Sequence, residues 1–452
     1  MALGLALLLL VAGTLAFHFL SPWWYTPIAS NWTMMDDTVK VTFWVTGVVF
    51  VAVNVFMAYA VIRYRHRPGV KAEYEPESKK LEWWLTIVTT IGVAGLLAPG
   101  LFVWAKFVTV PTEATVVEVV GQQWNWSYRF PGKDGKLGAA DASLISLSNP
   151  FGIDPNDPNG QDDILISSAE LHLPINKPVK MLLRAKDVSH QFAVPQFRVK
   201  MDMVPGMVTY FWFTPTRTGS FDVLCEQLCG LAHFAMRGRV VIDTEADYQA
   251  WLAAAPTFAD SRAHAAGDAV AGQALYAVCG ACHGQSAEGN QTLNAPRLNQ
   301  QAGWYLARQL RNFRHGVRGA EPEDTYAAQM RPFAAMLADD AAIDNVVAYI
   351  TSLPPVAPVS TLSGEVEHGR TLYATCGACH GLAGEGIWST NAPRLAHMSD
   401  WYMARQLNNF RLGIRGAHPQ DFAGAQMAAM AKITADERTI NDVLAYVHTL
   451  GD

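Results

Sequence analysis

The sequence is poor in charge and in cysteine. Asp, Glu, Lys and Arg make up 16% of its 452 residues, against roughly 25% in ordinary soluble domains, while hydrophobic residues reach 50%. That shortage of charge, together with 14 Trp, points to membrane segments. The charge that is present sums to −6, which argues against nucleic-acid binding, because phosphate backbones select basic surfaces. Six cysteines are too few for a disulfide framework in a chain this long. At roughly 150 residues per domain, the length suggests about three units.

Two stretches carry no charged residue at all, Val41–Ile62 and Trp83–Ala105. Each is long enough to cross a hydrocarbon core of about 30 Å as a helix. The loop between them holds Arg63, Arg65, Arg67, Lys71, Lys79 and Lys80, so the positive-inside rule assigns it to the cytoplasm and everything after Ala105 to the outer face. The first twenty residues are apolar but lack the Lys or Arg of a signal-peptide n-region. Residues 1–30 are thus either a signal peptide or an additional transmembrane helix surfacing at the aromatic stretch Ser21–Tyr25, and 31–110 form a transmembrane hairpin.

From residue 111 to 245 the pattern becomes short β-branched and aromatic runs, such as TVVEVV, VKMLLRA and FDVLC, separated by turn formers. This predicts an all-β sandwich. Within it, Cys225, Cys229, His233 and Met236 fall inside twelve residues just after a strand, and His190 follows another strand. Soft sulfur with imidazole selects copper, and a weak Met ligand tunes electron-transfer copper. A second Cys four residues on allows two thiolates to bridge two metals, each also taking one His. A disulfide between Cys225 and Cys229, or a zinc site, would draw on the same residues. The segment Asn149–Asp163, with four Asp among turn formers, reads as an exposed loop.

The Cys-x-x-x-Cys-x-x-x-His-x-x-Met loop, with the two hairpin spans, resembles the CuA domain of cytochrome c oxidase subunit II, a cupredoxin-like β-sandwich. The resemblance implies that Cys225 and Cys229 bridge the coppers, that His190 and His233 are terminal ligands, and that Met236 and the Gln227 carbonyl are weak ligands. Many family members have Glu where Gln227 stands, and its carboxylate helps hold magnesium; the Gln puts that magnesium site in doubt. Trp124 and Trp126 resemble the family's aromatic patch near copper, with Trp124 the candidate electron-accepting residue; core or rim packing is the other reading. Glu82 matches a family position near a proton-channel mouth, and an interfacial helix cap explains it equally well.

Residues 246–266 read as an alanine-rich linker. Beyond it, Cys279-x-x-Cys282-His283 and Cys376-x-x-Cys379-His380 are c-type haem attachment motifs. They belong to a gapless repeat with an offset of 97 residues, in which Gly272 pairs with Gly369, Ala-Pro-Arg-Leu at 295–298 recurs at 392–395, and Tyr349 pairs with Tyr446. A shared sixth iron ligand must survive that offset. Met330 maps onto Met427, whereas Met336 maps onto Ile433 and Met430 onto Phe333. Met/His ligation suits an electron carrier. The units 267–354 and 355–452 resemble tandem all-α class I cytochromes c, joined by the linker Leu353–Val359. Arg297 and Arg394 are candidates for haem propionates, or else exposed arginines.

Cysteine accounting closes: two for copper, two for each haem. Covalent haem attachment outside the cytoplasm agrees with the topology derived from the Arg/Lys loop. The resemblance implies the electron-input subunit of a haem–copper terminal oxidase in the bacterial inner membrane. A soluble cytochrome c, or another small redox donor, would feed the two haems c and then CuA. Oxygen would be reduced in a partner subunit I, with subunit III a further partner. No residue of this chain is expected to be catalytic. A nitric oxide reductase input subunit is the principal rival, and a redox or gas sensor the other; a quinol oxidase subunit would lack the copper Cys pair.

Overall fold

The computed structural model describes residues 2–21, 26–71, 74, 76–146, 149–166, 168–230, 232–262, 267–356 and 359–451. The aromatic exit at residues 22–25 and positions 357–358 of the second linker lie outside the described residues. Three apolar helices come first: α1 (Ala2–Leu20), α2 (Thr33–Arg63) and α3 (Lys79–Val108), each long and apolar enough to cross a membrane. Helix α1 packs on α2, where Gly4 lies so close to Ile62 that a Cβ would come within 2.7 Å of its Cγ1. Glu82 sits exposed in the first turn of α3.

A β-sandwich follows. Its strands are β1 (Thr115–Gln122), β2 (Asn125–Phe130), β3 (Ile164–Ile166), β4 (Glu170–Pro174), β5 (Val179–Ala185), β6 (His190–Val194), β7 (Val199–Met203), β8 (Thr209–Phe213), β9 (Gly219–Cys225) and β10 (Arg237–Asp243). One sheet runs β3-β2-β1-β5-β8, the other β4-β10-β9-β6-β7, with β1–β5 and β4–β10 paired in parallel. Period-two alternation builds the core between them. On β9, Phe221, Val223 and Cys225 point inward while Asp222 faces out; on β5, Val179, Met181 and Leu183 do the same. Burying such side chains contributes about 1.5–3 kcal/mol each.

Two expectations are corrected here. The segment Asn149–Asp163 is no solvated loop: Phe151 and Ile153 are buried with Val120, Leu165 and Phe258, and Asp163 is fully buried against Arg129. Arg129 also donates to Glu118 at 3.1 Å, so the loop supplies one carboxylate of a buried ion cluster. Leaving such a charge unpaired costs about 3–5 kcal/mol, which explains why this polar loop folds inward. Of the expected linker 246–266, residues 246–262 are likewise not free. They open with α4 (Glu245–Ala253) and α5 (Phe258–Arg262), and Tyr248 and Trp251 pack on the sandwich core. The chain before α2 joins the same core through Ala29 and Trp32, with Ala29 N–H donating to the Gln196 carbonyl at 2.8 Å.

The remainder is helical and repeats itself. The first repeat holds α6 (Ala269–His283), α7 (Gly303–Arg314), α8 (Thr325–Ala335) and α9 (Asp340–Ser352); the second holds α10 (Val366–His380), α11 (Asp400–Arg411), α12 (Phe422–Ala431) and α13 (Glu437–His448). Helices α6 and α9 cross at Gly272, where any Cβ would run into the Asn345 carbonyl; Gly369 meets Asp442 in the same way between α10 and α13. Tyr276 and Tyr349 lie 5.3 Å apart between ring centroids, and Tyr373 and Tyr446 5.4 Å. The terminal helices therefore cross at a glycine in both copies. The repeats face each other with reciprocal contacts. Arg318 donates to the Tyr402 hydroxyl at 2.7 Å and Arg415 to the Tyr305 hydroxyl at 2.9 Å; Arg308 bonds Asn391, and Arg405 bonds Asn294. Each pair maps onto the other through the 97-residue offset, so the interface has twofold pseudosymmetry.

Candidate metal centres

The copper candidates converge at one edge of the sandwich. Cys225 ends the inward face of β9, and β6 brings His190 beside it, since Phe192 is the register partner of Cys225. Cys225 Sγ stands 3.9 Å from His190 Nδ1, 3.8 Å from Cys229 Sγ and 3.2 Å from the Gln227 carbonyl oxygen. Cys229 Sγ stands 3.5 Å from His233 Nδ1 and 3.7 Å from Met236 Sδ. All six groups nominated from sequence thus surround one small volume. The sulfurs are free thiols and too far apart for a disulfide, which needs about 2.05 Å. Ligand atoms of His190, Cys225 and Cys229 lie within 4.8 Å of one another. A donor set of thiols, imidazoles and a thioether fits a soft, redox-active metal.

Electrostatics prepare the cluster. Burial would raise the Cys225 thiol, but hydrogen bonds with His190, with the Gln191 and Gln227 backbone and with Cys229 outweigh it and lower it to about 6. Burial and the neighbouring Cys225 charge push Cys229 up to about 12. The Asp187 carboxylate, 2.8 Å from His190 Nε2, fixes the ring so that Nδ1 faces the sulfurs. Burial alone would lower His190; the bonds to Asp187 and Cys225 raise it instead. Sequence reasoning missed Asp187, although a carboxylate three residues before a candidate ligand was a usable signal.

Both haem candidates open on one cavity of about 340 Å³ between the repeats, lined by Cys279, Cys282, His283 and Met330 from the first, and by Cys376, Cys379, His380 and Met427 from the second. His283 Nδ1 donates to the Pro296 carbonyl at 2.7 Å, and His380 Nδ1 to that of Pro393 at 2.8 Å. That bond leaves Nε2 of each ring as the free ligand nitrogen, and burial lowers both imidazoles toward the neutral, ligating form. Arg297 and Arg394 line the same cavity. Arg297 is buried, and its Nη2 has no hydrogen-bond partner, which fits an anionic group such as a propionate. The second repeat also turns Met398, Met403 and Met430 to the cavity; only Met330 and Met427 survive the offset.

Trp124 lies under the second repeat. It is 5% exposed, and Gln426 Nε2 donates to its carbonyl oxygen at 2.6 Å. Its own Nε1 donates to the Cys229 carbonyl at 3.2 Å. A soluble donor has no open path to it. Trp126 is wholly buried in the core beside His190 and Phe192.

Comparison with known proteins agrees with this division. Residues 115–244 match the family model of the cytochrome c oxidase subunit II periplasmic domain, and residues 269–354 and 366–451 each match that of cytochrome c. The chain is 60% identical over 259 residues to the alternative cytochrome c oxidase subunit 2 of Bradyrhizobium diazoefficiens, covering 57% of this chain and 94% of that relative. It is 37% identical over 165 residues to cytochrome c4 of Azotobacter vinelandii, covering 34% of this chain and 77% of that one. Among solved structures, the periplasmic domain of cytochrome oxidase subunit II from Bradyrhizobium japonicum is 28% identical, covering 32% of this chain and 96% of its own, with a TM-score of 0.24.

Proposed function

The chain belongs to the cytochrome c oxidase subunit II family, a component of an oxidoreductase complex, and on that premise we propose how it feeds electrons to the haem–copper core of a partner subunit I. Copper and haem c follow from the two matched families, and when bound they supply reversible one-electron transfer. Cys225, Cys229, His190, His233, Met236 and the Gln227 carbonyl would hold a dinuclear copper. Cys279, Cys282, His283 and Met330 would hold one haem, and Cys376, Cys379, His380 and Met427 the other. The amide of Gln227 brings no charge to a magnesium ion, so no magnesium is assigned to this chain.

The surrounding residues hold these ligands ready. Asp187 orients His190, and the Pro296 and Pro393 carbonyls orient the two haem histidines. Burial of the sulfur cluster keeps water from the copper ligands and limits reorganisation when charge arrives. The single observation carrying the reading is the convergence of two thiols, two imidazoles, a thioether and a carbonyl at contacts of 3.2–3.9 Å. The donor is a soluble cytochrome c or another small redox carrier, and subunit III completes the assembly. The Arg63–Lys80 loop supports insertion in the bacterial inner membrane with the sandwich and repeats outside, and the packing of Gly4 on Ile62 supports a retained α1.

The test is gas consumption by the detergent-purified complex, supplied with a reductant that feeds c-type haem. Rapid, cyanide-sensitive oxygen uptake is expected. Nitric oxide consumption with little oxygen uptake would keep the metal sites and move the protein to the rival reductase reading.

A further inference from the structure

The two repeats share their chemistry but not their surroundings. The second rests on the copper domain. Trp388 packs against the buried cluster of Val120, Phe151 and Phe258, and Met430 packs against the main sandwich core. Cys379 Sγ lies 3.9 Å from the Gln123 carbonyl oxygen, and the side-chain amide of the same Gln123 donates to the Cys229 carbonyl at 2.7 Å. One residue therefore touches both a haem-attachment thiol and a copper-loop residue, and Trp124 beside it repeats the link.

The equivalent face of the first repeat is open. Cys282, the counterpart of Cys379, is exposed. Leu293 is 48% exposed, whereas its counterpart Thr390 is 5% exposed. Phe333, the counterpart of Met430, and Val278 are exposed as well. The sequence itself breaks the symmetry here, because the first repeat has Gln291 where the second has Trp388, and Pro332 where the second has Ala429. A repeat with Gln291 and Pro332 lacks the side chains that seat the second on the sandwich.

We propose that the repeats work in a fixed order, the first receiving and the second delivering. Resting on the electron-input reading above, the open rim of Val278, Leu293 and Phe333 around Cys282 docks a small reduced c-type cytochrome with an apolar surface round its own haem edge. The same kind of face on the second repeat is already occupied by an electron-transfer domain of this chain, which identifies the chemistry the rim accepts. Each event moves one electron: the donor is oxidised, the first repeat is reduced and then reoxidised by the second, and the second delivers through Gln123 and Trp124. No bond or proton changes hands.

Three measurements on the full complex test the order. In hydroxyl-radical footprinting, Trp124 should be protected, and Trp388→Asp should expose it; equal oxidation in both would overturn the docking of the second repeat. After flash reduction of the c-haems, Cys376→Ala/Cys379→Ala should slow copper reduction at least about a hundredfold, and far more than Cys279→Ala/Cys282→Ala does; the reverse pattern overturns the order. Trp388→Asp, with both haems retained, should slow the same step at least about tenfold. Leu293→Glu should lower the bimolecular rate with reduced mitochondrial cytochrome c several-fold without altering the copper step, and no change would remove the rim as the receiving face. Failure of either haem to reduce copper in the unaltered complex would instead overturn the electron-input reading.

Discussion

The copper and haem candidates reach their places by opposite routes. In the sandwich, His190 and Cys225 come from different strands and meet only because β6 and β9 pair in one register; a buried ion cluster and a long inward-folded loop brace that arrangement. In the repeats, two thiols and the histidine sit at the end of one helix, so the attachment motif exists as soon as the helix forms. A site assembled from strands is hostage to the sheet, whereas a site carried on a helix can be copied whole, and this chain holds two copies 97 residues apart.

The largest effect separating the two regions is expected from Cys225→Ser. It should abolish the mixed-valence copper signal in electron paramagnetic resonance while both c-haem bands remain; a surviving signal would show that Cys225 does not bridge the metals. Next, Gly369→Val should cost the complex one of its two haems. The new side chain has to displace the Asp442 carbonyl at the α10–α13 crossing, and overpacking of this kind typically costs about 1–3 kcal/mol or more. Haem quantitation giving two haems per copper centre would mean that the crossing relaxes.

A smaller effect distinguishes the repeats from each other. The buried Asp400 accepts from the Thr361 N–H at 2.6 Å and the Leu362 N–H at 3.0 Å, and its counterpart in the first repeat is Gly303. Burial alone would raise this carboxyl, but the Thr361, Leu362 and Trp401 bonds outweigh it and hold it below its ordinary value. A depressed folded-state value means that the carboxylate stabilises above the unfolded value, near ~3.9, and that this contribution is lost as pH falls through the lower folded value. Asp400→Asn should therefore destabilise the second repeat by about 1–2 kcal/mol at neutral pH and flatten its acid-side decline. Hydrogen exchange in α11 and α13, with α7 and α9 as the internal reference, measures this; equal changes in both repeats would deny Asp400 a specific role.

Much of the plan was legible in residue order. The uncharged spans, the alternation of β5 and β9 and the gapless repeat each express a local periodicity. The loop Asn149–Asp163 misled because its turn formers and acids look solvated, while the partner of Asp163 is Arg129, 34 residues away. Residues 246–262 misled likewise, since an alanine-rich stretch carries little sign that Tyr248 and Trp251 will find a sheet to cover. Trp124 was noticed for its type, but its cover, Gln426, is 302 residues distant.

Chemistry, then, was settled by order along the chain: which atoms can bind copper or haem depends on residue type and short spacing, and these are local quantities. What distinguishes the two repeats was settled only in three dimensions. Two repeats with the same ligands differ because one finds a complementary apolar face on the sandwich and the other does not. That difference is a property of surfaces meeting across hundreds of residues, and no short window of sequence contains it.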